Sequence, residues 1–124
     1  MQLNRIERSI LCGAARDLAR FAVMPWPDIE APNALRNRFA ISDAREGLVA
    51  VQSVEWVGQS TCNDTALRMA ISRAYLKLQK HGLLMRVADG YSETRCTHLR
   101  LTEAGIALAK QLEATEGTSR DQLG

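Results

Sequence analysis

The sequence predicts a mainly α-helical protein of the α+β class, in which helices precede and follow one short β-hairpin. Apolar residues recur every three or four positions near both ends of the chain, which is typical of amphipathic helices. Two alternating segments flank an Asp-Gly pair at 89–90, which predicts two strands joined by a turn. A chain of 124 residues can bury a core of its own, so we predict a single domain over 1–124.

The first predicted helix covers residues 3–22. Its apolar positions share one face, while most of its charges fall elsewhere; the apolar positions are Ile6, Ile10, Ala14, Leu18 and Phe21. The next segment, 23–34, contains all three prolines of the chain. Because proline lacks a backbone donor and restricts the residue before it, we predict a loop there.

Ser42 and Asp43 are good N-cap residues, and we predict a second helix from them to about Val57. In that helix Leu48, Val51 and Val54 would point inward. The segment VAVQSVEWV is rich in β-branched residues, so a strand is the alternative.

The most informative stretch is ISRAYLKLQKHGLL, residues 71–84. Asn63 or Asp64 can cap a helix that contains it, and Gly82 can take the left-handed conformation that ends one. The apolar residues of this helix form one stripe, which predicts a core face; they are Leu67, Ile71, Ala74 and Leu78, with Tyr75 at the edge.

The segments LLMRVA and RCTHLRL are the two predicted strands, and Thr102 can cap a last helix over 102–116 before a polar tail. A two-stranded hairpin is not stable alone in water and must pack on helices. Helices followed by such a hairpin describe a winged helix-turn-helix. We therefore predict this fold, with a two-stranded wing and additional terminal helices.

Two segments resemble winged helix-turn-helix transcriptional regulators of the broad MarR-like kind. ISRAYLKLQKHGLL is similar to the family's recognition helix and the start of its wing, within a recognition helix and wing over 62–101. HLRLTEAGIALAK is similar to the second wing strand and the helix after it. The resemblance implies a transcriptional regulator that binds double-stranded DNA as a homodimer through its terminal helices, residues 3–22 and 102–115. Alternatively, those helices only cover the monomer core.

The predicted DNA face lies opposite the core stripe, because the major groove admits one α-helix. We expect Arg68, Ser72 and Arg73 to enter the groove ahead of Lys80, and Asn63 and Thr65 to contact phosphates. The wing residues Ser92, Thr94 and Arg95 would reach the flanking backbone or the minor groove.

Two apolar residues, Met69 and Leu76, also fall on this face and argue against DNA contact, because apolar residues in a groove are unusual away from thymine methyls. Leu76 could instead pack beneath the wing or against another helix. A basic helix face is also more often simply solvated. The Gly-Leu-Leu strand and the Leu-Thr-Glu-Ala-Gly junction shift the balance toward DNA.

Charge supports this interpretation. From Asp64 to Arg100 there are seven basic and three acidic residues, a net charge of +4. The whole chain carries +2, so the remainder carries −2. A basic patch on a nearly neutral protein suits a polyanion.

Other functional classes find little support in the sequence. There is no glycine-rich nucleotide loop, no metalloprotease motif and no nucleophile elbow, so we predict that the protein is not an enzyme. The three cysteines are far apart and form no disulfide framework, and Cys96-x-His98 is a poor metal site. We expect no cofactor, no metal and no membrane contact, and a cytoplasmic location. The sequence identifies no effector, and a winged-helix protein-interaction module remains the alternative function.

Overall fold

The computed structural model describes residues 2–59, 63–88 and 96–123. In these ranges it contains five helices and three strands. In chain order they are α1 (Arg5–Ala22), α2 (Ala34–Arg45), β1 (Leu48–Ala50), α3 (Ser53–Val57), α4 (Thr65–Lys80), β2 (Leu84–Ala88), β3 (Cys96–Leu101) and α5 (Glu103–Leu123). The protein is thus mainly helical with a small antiparallel sheet, as the predicted α+β class requires.

The first helix, α1, packs against each of the other four helices and also contacts β1 and β3. Its start is fixed by a capping box, in which the Asn4 side chain accepts from the Glu7 amide and the Glu7 carboxylate accepts from the Asn4 amide, both at 2.8 Å. Ile10, Leu11 and Ala14 are completely buried. The predicted helix over 3–22 is therefore confirmed, with its first turn at Arg5.

The predicted helix from Ser42 to about Val57 is wrong. Ser42 and Asp43 lie near the end of α2 rather than before a helix. The chain leaves α2 at Glu46 and forms β1, in which Val49 pairs with Leu99 of β3. The strand alternative therefore holds for three residues. The cause is long-range, because β1 gains its hydrogen bonds from a strand about 50 residues later along the chain.

The short helix α3 follows β1 and packs on α1 through Trp56. The Trp56 ring lies over Gly13, and its Nε1 donates to Asp17 at 2.8 Å. Of the three residues expected to face inward, Leu48 and Val51 are partly buried and Val54 is half exposed. The buried residues of α3 are instead Trp56 and Val57.

The proline-containing loop is confirmed over 23–33, while Ala34 already begins α2. Arg38 holds the loop to α2, since its guanidinium donates to the Pro27 carbonyl at 2.8 and 3.1 Å. The guanidinium groups of Arg38 and Arg45 each lie 5.4 Å from the centre of a Trp26 ring, a distance suited to cation–π attraction.

The sheet has the order β1-β3-β2, with both pairs antiparallel. The sequence predicted β2 and β3 but only two strands, so β1 is an addition to the predicted hairpin. Leu84 and Leu99 are completely buried between the sheet and the helices, which anchors the hairpin to the core. The predicted turn at 89–90 lies outside the described residues.

The helix α4 has both predicted ends. Asp64 is the N-cap, and its side chain accepts from the Leu67 amide at 2.9 Å. At the other end Gly82 has a φ of +71°, its amide donates to Gln79, and the Leu83 amide donates to Leu78 at 3.0 Å. These two bonds are the Schellman motif that glycine favours. The predicted core stripe is confirmed, since Ile71, Ala74, Tyr75 and Leu78 are buried and Leu67 packs against the core.

The junction between β3 and α5 depends on Thr102 and Gly105. The Thr102 hydroxyl donates to the Gly82 carbonyl at 2.6 Å and accepts from the Gly105 amide at 3.0 Å. A Cβ on Gly105 would overlap the Leu83 carbonyl, so α5 can approach the start of the hairpin only with glycine there. This contact gives a structural reason for the Leu-Thr-Glu-Ala-Gly sequence.

The predicted end of the last helix at 116 is wrong, because α5 continues to Leu123. The sequence predicts a polar tail from about Gly117, yet one glycine costs only about 1 kcal/mol relative to alanine within a helix. Once a helix has formed, each further residue adds a hydrogen bond without a new nucleation step. No helix in the described ranges is long and apolar enough to cross a membrane.

Replacing Asp64 with alanine should lower the free energy of unfolding by about 1 kcal/mol, because the Leu67 amide loses its side-chain acceptor. Urea denaturation followed by circular dichroism measures the change. Asp64→Asn is the matched control and should retain most of the stability, since asparagine caps helices about as well as aspartate. Equal losses in both variants would contradict the capping role.

Candidate nucleic-acid interface

Three polar contacts fix α4 on the rest of the protein. The Ser53 hydroxyl at the start of α3 lies 2.6 Å from the Tyr75 hydroxyl. The Gln79 side chain accepts from the Arg86 amide of β2 at 2.9 Å. Because these contacts join α4 to the helix before it and to the strand after it, they set the direction in which its outer face points.

The third contact is an ion pair between α4 and α1. Lys77 Nζ lies 3.1 Å from Glu7 Oε1, and Glu7 is only 3% exposed. Lys77 also donates to the Gln2 carbonyl at 3.3 Å. The pair leaves Glu7 satisfied in the core and directs the Lys77 charge toward α1, so Lys77 contributes to the position of α4 rather than to its outer face.

The outer face of α4 forms one open surface. Six side chains line a shallow hollow of about 450 Å³; they are Thr65, Arg68, Met69, Ser72, Arg73 and Leu76. Arg68 also donates to the Thr65 hydroxyl, at 3.3 Å. We refer to these six side chains as the α4 face.

The α4 face is positive because it contains Arg68 and Arg73, and no residue of α4 is acidic; the helix has two further bases, Lys77 and Lys80. Two of the four, Arg73 and Lys80, are exposed and make no hydrogen bond or ion pair with any other described residue. Cationic groups without a partner on an exposed helix attract anions, with an effect that salt screens.

The structure brings together Thr65, Arg68, Ser72 and Arg73 of the predicted site, all of them exposed. Lys80 is exposed on the last turn of α4, beyond the hollow, and Asn63 is exposed just before the N-cap. The predicted wing residues lie outside the described residues; they are Ser92, Thr94 and Arg95.

The two apolar residues of the α4 face are not covered. Met69 and Leu76 are each 51% exposed. The interpretation that Leu76 packs beneath the wing or against another helix is therefore not supported by its exposure. Both side chains belong to the outer surface of α4, together with the basic residues.

The sequence did not predict a second hollow, of about 660 Å³, between α1, α2 and the sheet. His98 of β3 lies at its edge, with Nε2 3.3 Å from a carboxylate oxygen of Asp43 and Nδ1 2.9 Å from the Thr97 hydroxyl. Phe21 and Phe39 contribute apolar walls. Residues of α2 form part of this hollow. Because the helix predicted from Ser42 does not correspond to α2, no local sequence pattern indicated the hollow.

Comparisons with protein-family models, with curated proteins and with solved structures find no match to this chain.

Proposed function

We propose that the protein binds double-stranded DNA in a sequence-specific way and acts as a transcriptional regulator, with α4 in the major groove. The observation that carries the proposal is the α4 face, a helix surface with basic side chains, no acidic residue and a fixed orientation. Arginine donates well to guanine and to phosphate, and serine can bond to a phosphate or a base edge. In this role Arg68, Ser72 and Arg73 enter the groove, while Asn63 and Thr65 contact phosphates.

The order of elements supports a winged helix-turn-helix. A short helix, α3, precedes the longer α4, and an antiparallel pair of strands, β2 and β3, comes directly after α4. Such a hairpin lies beside the recognition helix and can contact the neighbouring backbone. In the proposed complex the segment between β2 and β3 does so through Ser92, Thr94 and Arg95. The protein would work in the cytoplasm, in contact with the DNA.

We further propose a homodimer that joins through α1 and α5, because regulators of this kind read two half-sites with two-fold symmetry. The two helices pack on each other and carry half-buried apolar side chains that a partner could cover, among them Ile6, Leu18, Ile106 and Leu112. Light scattering at micromolar concentration should give twice the chain mass of 13.7 kDa. A constant mass of one chain would contradict the dimer.

The decisive experiment is selection of bound duplexes from a random DNA pool by the full chain. We expect one enriched motif, with two inverted half-sites if the protein is a dimer. Affinity for that motif should fall with salt by about 0.9 log units per log unit for each phosphate contacted. If no motif is enriched and binding is weak even at low salt, the proposal is wrong.

A protein-interaction module is the second candidate, and one observation favours it. Leu35 and Phe39, one turn apart on α2, are 69% and 65% exposed, which is unusual for large apolar side chains in a cluster. Binding through them would depend little on salt. A partner protein that copurifies with the chain, together with an absence of salt-sensitive DNA binding, would support this alternative.

A further inference from the structure

Met69 and Leu76 lie at the centre of the α4 face. They are seven positions apart, so they lie about 20° apart around the helix axis and about 10.5 Å apart along it. Ser72 and Arg73 lie between them along the helix. A single exposed apolar residue needs no explanation. Here two apolar side chains are aligned along a basic face. They offer two apolar contacts, with polar groups between them.

The charge around this pair favours a nucleic acid as the partner. Arg68 and Arg73 flank it, and α4 has no acidic residue, so the surface complements a polyanion. Arginine is also common in protein–protein interfaces, so it is the absence of any acidic residue from α4 that favours a polyanion. In a duplex the major-groove edge of a base pair offers one apolar group, the C5-methyl of thymine.

The spacing of the two side chains agrees with that of the bases. Bases in one strand are about 3.4 Å apart along the DNA axis and are also rotated around it, so their separation along the groove is larger than this axial spacing. About 10.5 Å along the groove therefore spans on the order of two base-pair steps. A helix lying along the major groove would therefore bring Met69 and Leu76 to bases on the order of two steps apart, with Arg73 near the base between them.

We infer that Met69 and Leu76 determine specificity, each by packing against the C5-methyl of one thymine in a half-site. This inference rests on the proposed DNA-binding function and deepens it. The two side chains select A·T pairs at two positions on the order of two steps apart, because cytosine carries no methyl group at C5. Arg68 and Arg73 supply the polar contacts around them.

The test uses the duplex enriched from the random pool and replaces its thymines one at a time with deoxyuridine. This change removes only the methyl group and keeps base pairing and phosphate charge. At two positions per half-site, the wild-type protein should bind the deoxyuridine duplex roughly fourfold more weakly than the thymine duplex. The reason is that one methyl-sized group is removed from an apolar contact. The salt dependence should not change, because phosphate contacts remain.

Three variants assign the effect. Leu76→Ala should bind the thymine and deoxyuridine duplexes equally at one position, and Met69→Ala should do so at the other. Met85→Ala is the control, because Met85 is 56% exposed on β2 and lies outside the α4 face; it should keep both discriminations. Circular dichroism verifies that each variant is folded.

The results separate this inference from the proposed function. Equal affinity for thymine and deoxyuridine at every position would overturn the inference while leaving DNA binding intact. The inference would also be overturned if Leu76→Ala and Met69→Ala still bound the deoxyuridine duplexes more weakly than the thymine duplex at both positions. If no duplex is enriched at all, both the inference and the proposed function are wrong.

Discussion

Replacing Gly105 with alanine should lower the free energy of unfolding by on the order of 3 kcal/mol, the upper part of the usual range for overpacking a core. A Cβ at this position overlaps the backbone carbonyl of Leu83, and a backbone atom cannot move aside as a side chain can. The same carbonyl accepts from the Thr102 amide at 3.2 Å, so a shift of α5 would also strain this bond.

The direction of the change in stability distinguishes the close packing of Gly105 from helix propensity. In an open helix position, alanine is more stable than glycine by about 1 kcal/mol, so helix propensity alone predicts stabilisation. Urea denaturation gives the free energy, and Ala104→Gly is the matched control because Ala104 is exposed on the same turn. The control should lose about 1 kcal/mol. An unchanged or higher stability of Gly105→Ala would show that α5 does not need its close approach to Leu83.

Replacing Arg73 with alanine should weaken binding to the selected duplex by about 1–3 kcal/mol if Arg73 contacts a base. Binding to unrelated duplexes should then weaken much less. If Arg73 contacts a phosphate, all sequences should weaken alike and the salt slope should fall by about one unit. The side chain has no ion pair with a described residue, so its removal leaves no buried charge behind.

Titrations of both duplexes at several salt concentrations distinguish these two outcomes. Arg36→Ala is the control, because Arg36 is exposed on α2, outside the α4 face, and its loss removes the same charge. It should change affinity little at moderate salt. Wild-type affinity of Arg73→Ala at low salt would remove Arg73 from the interface.

The part of the fold that the sequence predicted best extends from Asp64 to Leu101. Its signals are local: an N-cap, an apolar stripe, a glycine after the last turn and two alternating strands. Each depends on residues within a few positions of one another. The region from Ala34 to Val57 was predicted poorly, because β1 forms only when β3 is present to pair with it. Local preference favoured a continuous helix instead.

The candidate site shows the same division. Periodicity was enough to predict that Arg68, Ser72 and Arg73 share an exposed face. It placed Lys77 outside the predicted DNA face but did not indicate what Lys77 contacts. Its partner, Glu7, is 70 positions away along the chain, and only the packing of α1 on α4 brings them together.

The Thr102 hydroxyl, which bonds to both Gly82 and Gly105, joins the last turn of α4 to the first turn of α5. One hydroxyl group thus bonds to the backbone at both helix ends, and its position in one bond favours the other. We expect the two ends to open together as one cooperative unit, although they are 20 positions apart in the chain. The C-terminal end of α4 is therefore stabilised by its contact with the start of α5 as well as by its own hydrogen bonds.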